Sequence, residues 1–139
     1  MTPTQIDLIR ASWTKVEPIA DTAAQLFYGR LFEVDPRTKV LFRRTDMEAQ
    51  RRNLMQTLTV VVKSLDKLEA IVRAVQALGR RHAGYGVRAA DYETVGAALL
   101  WTLEQGLGEA FDEPTRDAWA SAYGLLASVM IEASEAMAA

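Results

Sequence analysis

The sequence contains a single histidine, His82, whose imidazole can bind a metal or transfer a proton. The histidine continues a stripe of apolar residues that recur in steps of three or four, formed by Leu68, Ile71, Val75 and Leu78. Residues with this spacing share one face of a helix, so the imidazole is predicted to point towards the core.

Two interpretations of His82 are open from the residues alone. The first is a buried histidine whose ring nitrogen is satisfied by a backbone carbonyl. The second is a ligand to a metal that needs one protein ligand. Haem is the candidate, because the porphyrin supplies four nitrogens and one imidazole completes the site. The chain has no cysteine, which excludes disulfides, iron–sulfur clusters, zinc–cysteine sites and thiol catalysis.

Two polar side chains lie beside apolar stripes on other predicted helices. Gln50 precedes Leu54 by four residues and Leu58 continues that face, so the amide is predicted to point inwards, where it needs a partner or a ligand. The alternative is a glutamine at a helix start that bonds loop backbone. Tyr28 follows the stripe of the second helix, where a tyrosine is commonly a core residue with its hydroxyl at the rim.

Size and charge favour one soluble domain spanning residues 1–139. Sixteen basic and eighteen acidic residues give a net charge of −2, which argues against general nucleic-acid binding. No apolar run approaches the ~18 residues of a membrane span, and the first residues lack the pattern of a secretory signal. We therefore expect a cytoplasmic protein with no nucleic-acid or membrane partner.

Prolines and glycines divide the chain into helical segments, between which apolar residues recur with helical period. We predict an all-α domain with six substantial helices and one short helix. Thr4 with Asp7 resembles a capping box for the first helix, one helix carries the stripe from Leu68 to Gly84, and the next opens at Asp91. The breaks are marked by Pro3, Pro18, Pro36, Pro114, Gly84 with Gly86, and Gly106 with Gly108.

Several short motifs, taken in order, resemble the globin family. The first group is Phe27-Tyr28, Leu31-Phe32, Asp35-Pro36 and Leu41-Phe42. It resembles the second helix, third helix and following corner of globins, in which an aromatic residue at the position of Phe42 packs on the haem. His82 follows Gln50 by 32 residues, which matches the spacing from the distal position to the proximal histidine in that family.

The second half of the chain resembles single-domain bacterial haemoglobins, which are similar to the globin domain of flavohaemoglobins. The motifs are Gly79-Arg80-Arg81-His82, Tyr85-Gly86-Val87, Asp91-Tyr92-Glu93-Thr94-Val95-Gly96, and Ala118-Trp119 with Ala122-Tyr123-Gly124. The resemblance covers nearly the whole chain and implies a globin fold of six to seven helices around a haem pocket.

The resemblance also implies roles for individual residues. His82 matches the proximal ligand of haem b, which leaves the opposite axial position for O2, NO or CO. Tyr28 and Gln50 match the distal pair that stabilises the bound gas, and Leu54 matches the apolar residue over the iron. The side chains expected against the porphyrin are Phe42, Leu78, Val87, Tyr92 and Val95. The candidates to pair with the propionates are Arg44 and Arg81, for which the alternative is a solvated surface arginine.

One position departs from the flavohaemoglobin pattern. In that group a tyrosine and a glutamate orient the proximal histidine and increase its electron donation. Tyr92 matches the tyrosine, but ungapped alignment places Ser134 where the glutamate is expected, with Glu132 and Glu135 on other faces. The resemblance therefore does not imply strong electron donation by His82.

The implied function is high-affinity oxygen binding with slow release, from which follows a nitric oxide dioxygenase-type detoxification. Flavohaemoglobins carry flavin and nicotinamide domains after the globin, whereas this sequence ends at Ala139, so a separate reductase is expected for any turnover. The alternatives are an oxygen storage or delivery protein without turnover, and a globin sensor or interaction module. A monomer or a homodimer is expected.

Overall fold

The computed structural model describes residues 1–138, which fold into helices without a strand in this part of the chain. Six long α-helices and one short α-helix occur, as the sequence predicts. They are α1 (Pro3–Val16), α2 (Ala20–Val34), α3 (Arg37–Leu41), α4 (Met47–Lys63), α5 (Val72–Gly84), α6 (Ala89–Leu107) and α7 (Glu113–Ala138). Single 3-10 turns lie between α1 and α2 (Glu17–Ile19), between α4 and α5 (Leu68–Ala70) and between α6 and α7 (Gly108–Ala110). Within residues 1–138, no helix combines the length and the apolar character needed to cross a membrane.

The start of α1 differs from the sequence prediction. Thr2 is the N-cap: its hydroxyl accepts from the backbone N–H of Gln5, and the Gln5 side chain accepts from the backbone N–H of Thr2. The predicted Thr4–Asp7 capping box is therefore wrong. The reason is local, because Pro3 suits the first helical position and glutamine is the usual reciprocal partner three residues after the cap.

Two later helix starts are also shifted. The stripe that begins at Leu68 is divided between a 3-10 turn and α5, which begins at Val72. Helix α6 begins at Ala89, and Asp91 lies in its first turn, where its carboxylate accepts from the backbone N–H of Arg88 at 2.8 Å. The helix therefore opens two residues before the acid that caps it.

Two tryptophans join α1, α4 and α7 in the core. The rings of Trp13 and Trp119 lie 5.8 Å apart between centroids, and both side chains are buried. Trp119 Nε1 donates to Ser12 Oγ at 2.8 Å, and Trp13 Nε1 donates to Thr59 Oγ1 at 3.2 Å. Because each indole N–H has a partner, both rings are buried without an unsatisfied donor.

Helix α5 packs on α7, and the two backbones approach closely at Gly79. A Cβ atom on Gly79 would lie 2.5 Å from the carbonyl oxygen of Met130, so this contact requires glycine. Helix α4 packs instead on α2 and α1. In the described part of the chain α4 and α5 share at most marginal contact, and we use the name α4–α5 cleft for the region that these two helices flank.

Replacing Gly79 by alanine is expected to lower the free energy of unfolding by about 1–3 kcal/mol, because the added methyl group meets backbone that cannot move alone. Gly124→Ala is the matched control. Gly124 is an exposed glycine of α7 with nothing within 4 Å of an added Cβ, and helix propensity predicts a gain of about 0.5–1 kcal/mol there. Urea unfolding measures both variants, and equal stabilities would contradict the close α5–α7 contact.

Candidate functional site

A buried tyrosine and a half-buried glutamine meet on the α2–α4 side of the cleft. Tyr28 is 5% exposed, and its ring packs edge-on against Phe27 and Phe42 with centroids 4.9 and 5.5 Å away. Gln50 lies in the first turn of α4, which Asp46 caps. Its Nε2 donates to the Tyr28 hydroxyl at 3.0 Å, so the amide bonds this side chain and not the loop backbone.

The Tyr28 hydroxyl can still donate one hydrogen bond. Burial raises the pKa of Tyr28, while the hydrogen bond from Gln50 acts in the opposite direction and is the smaller effect. The hydroxyl is therefore protonated at neutral pH. Its oxygen accepts from Gln50, and no acceptor for its proton is found among residues 1–138.

On the α5 side, the ring of His82 is held by its own helix. His82 is half-buried, and its Nδ1 lies 2.8 Å from the carbonyl oxygen of Leu78. A carbonyl can only accept, so Nδ1 carries the proton and Nε2 presents a lone pair. Burial lowers the pKa of His82, and the neighbouring charge of Arg81 lowers it further. The side chain is therefore a neutral imidazole with an available ring nitrogen.

Tyr92 lies beside His82, with ring centroids 6.5 Å apart. Its hydroxyl is buried and has no hydrogen-bond partner in the described part of the chain, and burial raises the pKa of Tyr92. Ser134, at the aligned position of the expected glutamate, donates at 2.8 Å to Ile131 O within its own helix. Glu132 and Glu135 are exposed.

The apolar candidates are half-buried and belong to two separate core clusters. Phe42, Leu54 and Val95 pack against the larger cluster, which contains Trp13 and Trp119, whereas Leu78 and Val87 pack with Tyr92 in the smaller one. Both clusters therefore have apolar side chains that their own cores do not fully cover. The two predicted propionate partners, Arg44 and Arg81, are exposed and have no ion pair among the described residues.

Comparison with known proteins decides the family, because residues 25–130 match the family model described as Globin. The chain belongs to the globin family. It is 30% identical over 139 residues to a flavohemoprotein of Vibrio cholerae, covering 99% of this chain and 35% of that protein. This globin thus spans about a third of the length of that relative.

Two further relatives are matched over most of their length. A neuroglobin of Chaenocephalus aceratus is 28% identical over 137 residues, covering 89% of this chain and 86% of that one. A bacterial globin of Campylobacter jejuni, solved at 1.35 Å resolution, superposes with a TM-score of 0.86 at 26% identity and covers 99% of both chains. The globin fold expected from the motifs is confirmed.

Globins bind haem, and the residues of this globin fit that group. A neutral imidazole with a free Nε2 provides the one protein ligand that haem iron needs. Incompletely covered apolar side chains from both clusters suit the faces of a porphyrin. The sequence indicates a backbone carbonyl as one possible partner of His82 but not which carbonyl. In the structure it is that of Leu78, four residues earlier on the same helix.

A pair of tyrosine variants tests the unpartnered hydroxyl in the haem-free protein. Tyr92→Phe is expected to raise the free energy of unfolding by about 1 kcal/mol, since it removes a buried hydroxyl that has no partner. Tyr123→Phe is the control, because Tyr123 donates to the Tyr92 backbone carbonyl at 2.6 Å, and its loss is expected to cost about 1 kcal/mol. Urea titrations that gave the reverse order would refute this assignment.

Proposed function

We propose that this globin, as one domain over residues 1–139, holds haem b in the α4–α5 cleft and binds oxygen with high affinity and slow release. The observation that carries the proposal is the hydrogen bond from Gln50 to Tyr28, which leaves the tyrosine proton free to donate. A bound haem would supply ferrous iron, which can bind a gas ligand such as O2, NO or CO.

In this proposal the Tyr28 hydroxyl would donate a hydrogen bond to a gas ligand, and Gln50 would orient the tyrosine and offer its second amide N–H. Each net hydrogen bond is worth roughly 0.5–1.5 kcal/mol. Two such bonds would slow oxygen release by about ten- to a hundredfold. Leu54, one turn along α4 from Gln50, would exclude water from that side of the site.

On the other side of the cleft, His82 would give its Nε2 to the iron while Nδ1 donates to Leu78. That second bond fixes the ring orientation and the tautomer. The proposed porphyrin contacts are Phe42, Leu78, Val87, Tyr92 and Val95. Arg44 and Arg81, exposed and without ion pairs in the described residues, would bind the propionates.

We further propose a nitric oxide dioxygenase-type reaction in the cytoplasm, NO + O2 + e⁻ → NO3⁻, in which each turnover consumes one electron from a donor protein. The similarity to the Vibrio cholerae flavohemoprotein supports this proposal. The proposed slow release of oxygen would suit this reaction, because a ligand that is retained is present when nitric oxide arrives.

Oxygen storage or delivery without turnover is the second candidate. The observation that favours it is the partner of His82, which is the neutral Leu78 carbonyl and not a carboxylate. Ser134, at the aligned position of the expected glutamate, is bonded to its own helix. A carbonyl draws the proton of Nδ1 less strongly than a carboxylate does, so electron donation to the iron is weaker. Rapid oxygen release, together with little nitrate after mixing the oxygenated protein with nitric oxide, would select this candidate.

The role of His82 is tested by His82→Ala, which is expected to lose most haem at equal expression, because no other histidine exists in the sequence. The measurement is the Soret absorption of the purified protein, with circular dichroism as the control for folding. His82→Gly should regain haem when free imidazole is added. A normal haem spectrum in His82→Ala would contradict the assignment of His82 as the iron ligand. If the wild-type protein shows no Soret band after haemin is added, the protein does not bind haem, and the interpretation as a helical interaction module is favoured.

The role of Tyr28 is tested by the rate of oxygen dissociation. Tyr28→Phe is expected to release oxygen about tenfold faster, as the loss of one hydrogen bond of ~1.4 kcal/mol predicts. Tyr85→Phe is the matched control, since Tyr85 is 67% exposed and should leave the rate unchanged. Stopped-flow displacement of oxygen by carbon monoxide measures both, and an unchanged rate in Tyr28→Phe would mean that the hydroxyl does not reach the ligand.

A further inference from the structure

The charges of this globin are separated along its sequence. Residues 37–88 contain twelve basic and four acidic residues, a net charge of +8, whereas residues 89–139 contain one basic and nine acidic residues, a net charge of −8. The first segment includes α3, α4 and α5, and the second includes α6 and α7. The overall charge of −2 therefore conceals a strongly basic region built on the helices that bound the cleft.

Part of this basic region is brought together at one end of the cleft. A Cβ atom on Gly86 would lie 3.8 Å from Leu41 Cδ2, so the end of α3 adjoins the turn after α5. The hydrogen bond from Arg37 is the main cause that lowers the pKa of Asp35, and the positive charge of Arg88 makes a small further contribution across the same junction. The exposed basic residues near this junction in sequence that have no ion pair among the described residues define what we call the basic rim: Lys39, Arg43, Arg44, Arg80 and Arg81.

The charge of the basic rim is not neutralised by the protein itself. No carboxylate lies within 4.0 Å of these five side chains in the described part of the chain, although other arginines of the same segment are paired, such as Arg52 with Glu48 and Arg88 with Asp91. Arg44 and Arg81 are assigned above to the propionates. Lys39, Arg43 and Arg80 then remain as uncompensated cations beside Phe42 and His82 in sequence.

We propose that the basic rim is the docking surface for an acidic one-electron donor protein. This inference rests on the proposed function, in which NO + O2 + e⁻ → NO3⁻ consumes one electron and the donor is oxidised by one equivalent with no proton transferred. Opposite charges steer two proteins into contact and accelerate their association. Docking at the rim places the donor against the edge of the cleft, beside the residues proposed to hold the haem.

The distribution of charge favours a compact acidic protein over an extended polyanion. Helix α7, in the segment of net charge −8, packs directly on α5. A nucleic-acid duplex or an anionic membrane presents negative charge over an area larger than the rim and would be repelled by the acidic half. A compact donor can contact the rim alone.

The test uses haem-loaded protein and an acidic flavodoxin as the probe donor. Binding is measured by fluorescence anisotropy of labelled oxidised flavodoxin, and reduction of the ferric globin by the reduced form is followed in stopped flow. The expected result is a second-order rate that falls by about tenfold or more as ionic strength rises from about 0.02 to 0.2 M. Anisotropy should show weaker binding over the same range.

Two triple variants with the same change in net charge separate docking from general electrostatics. Lys39→Glu/Arg43→Glu/Arg80→Glu is expected to weaken binding and to slow reduction by about tenfold at low salt. Lys15→Glu/Lys63→Glu/Lys67→Glu alters exposed lysines without ion pairs, two of them at or beyond the opposite end of α4, and should have a much smaller effect. Equal slowing in both variants, or none in the rim variant, would overturn the proposal.

Two further measurements distinguish failure of the proposed function from failure of the proposed docking surface. Absence of a Soret band that shifts with carbon monoxide would overturn the proposed function and with it the electron-transfer role. A normal carbon monoxide spectrum with salt-independent reduction would overturn the docking surface alone. Binding of duplex DNA or phosphatidylglycerol vesicles that exceeds flavodoxin binding and is lost in the rim variant would also overturn it, in favour of a polyanion.

Discussion

The approach of α5 to α7 at Gly79 is the contact on which the rest of the site depends. The backbone of Met130 occupies the place where any larger residue would put its Cβ, so the two helices are held at a separation that only glycine allows. His82 follows three residues later on α5, one turn beyond this contact. Helix α4 packs on α2 and α1 instead, so α4 and α5 flank the region proposed to hold the haem.

The hydrogen bonds of the polar side chains differ between the two sides of the cleft. On the α2–α4 side, Tyr28 and Gln50 satisfy each other only in part, since the tyrosine accepts and keeps a proton to donate. On the α5 side, His82 is bonded to a neutral carbonyl, and the nearby Tyr92 hydroxyl has no partner in the described residues. In the proposed function, these side chains would stabilise a gas ligand more than they would increase electron donation to the iron.

Basic residues lie next to the candidate haem-binding residues in the sequence. On α5 the half-buried His82 is preceded by the exposed Arg80 and Arg81, because inward and outward faces of a helix recur within each turn. Phe42, Arg43 and Arg44 instead follow one another in the turn after α3. Apolar and basic side chains therefore adjoin at both places, once through helical period and once through a turn.

The sequence by itself determined the helical class, the number of helices and the inward face of His82, because helical period and helix breakers are local properties of the chain. It also singled out Tyr28 and Gln50 as residues on inward faces. The hydrogen bond between them was decided only by the tertiary structure, since it joins residues 22 positions apart. The isolation of the Tyr92 hydroxyl was decided there too, because it depends on which side chains α5 and α7 bring to that point. Spacing along a helix fixes the direction of a side chain, whereas the atom it meets depends on how neighbouring helices pack.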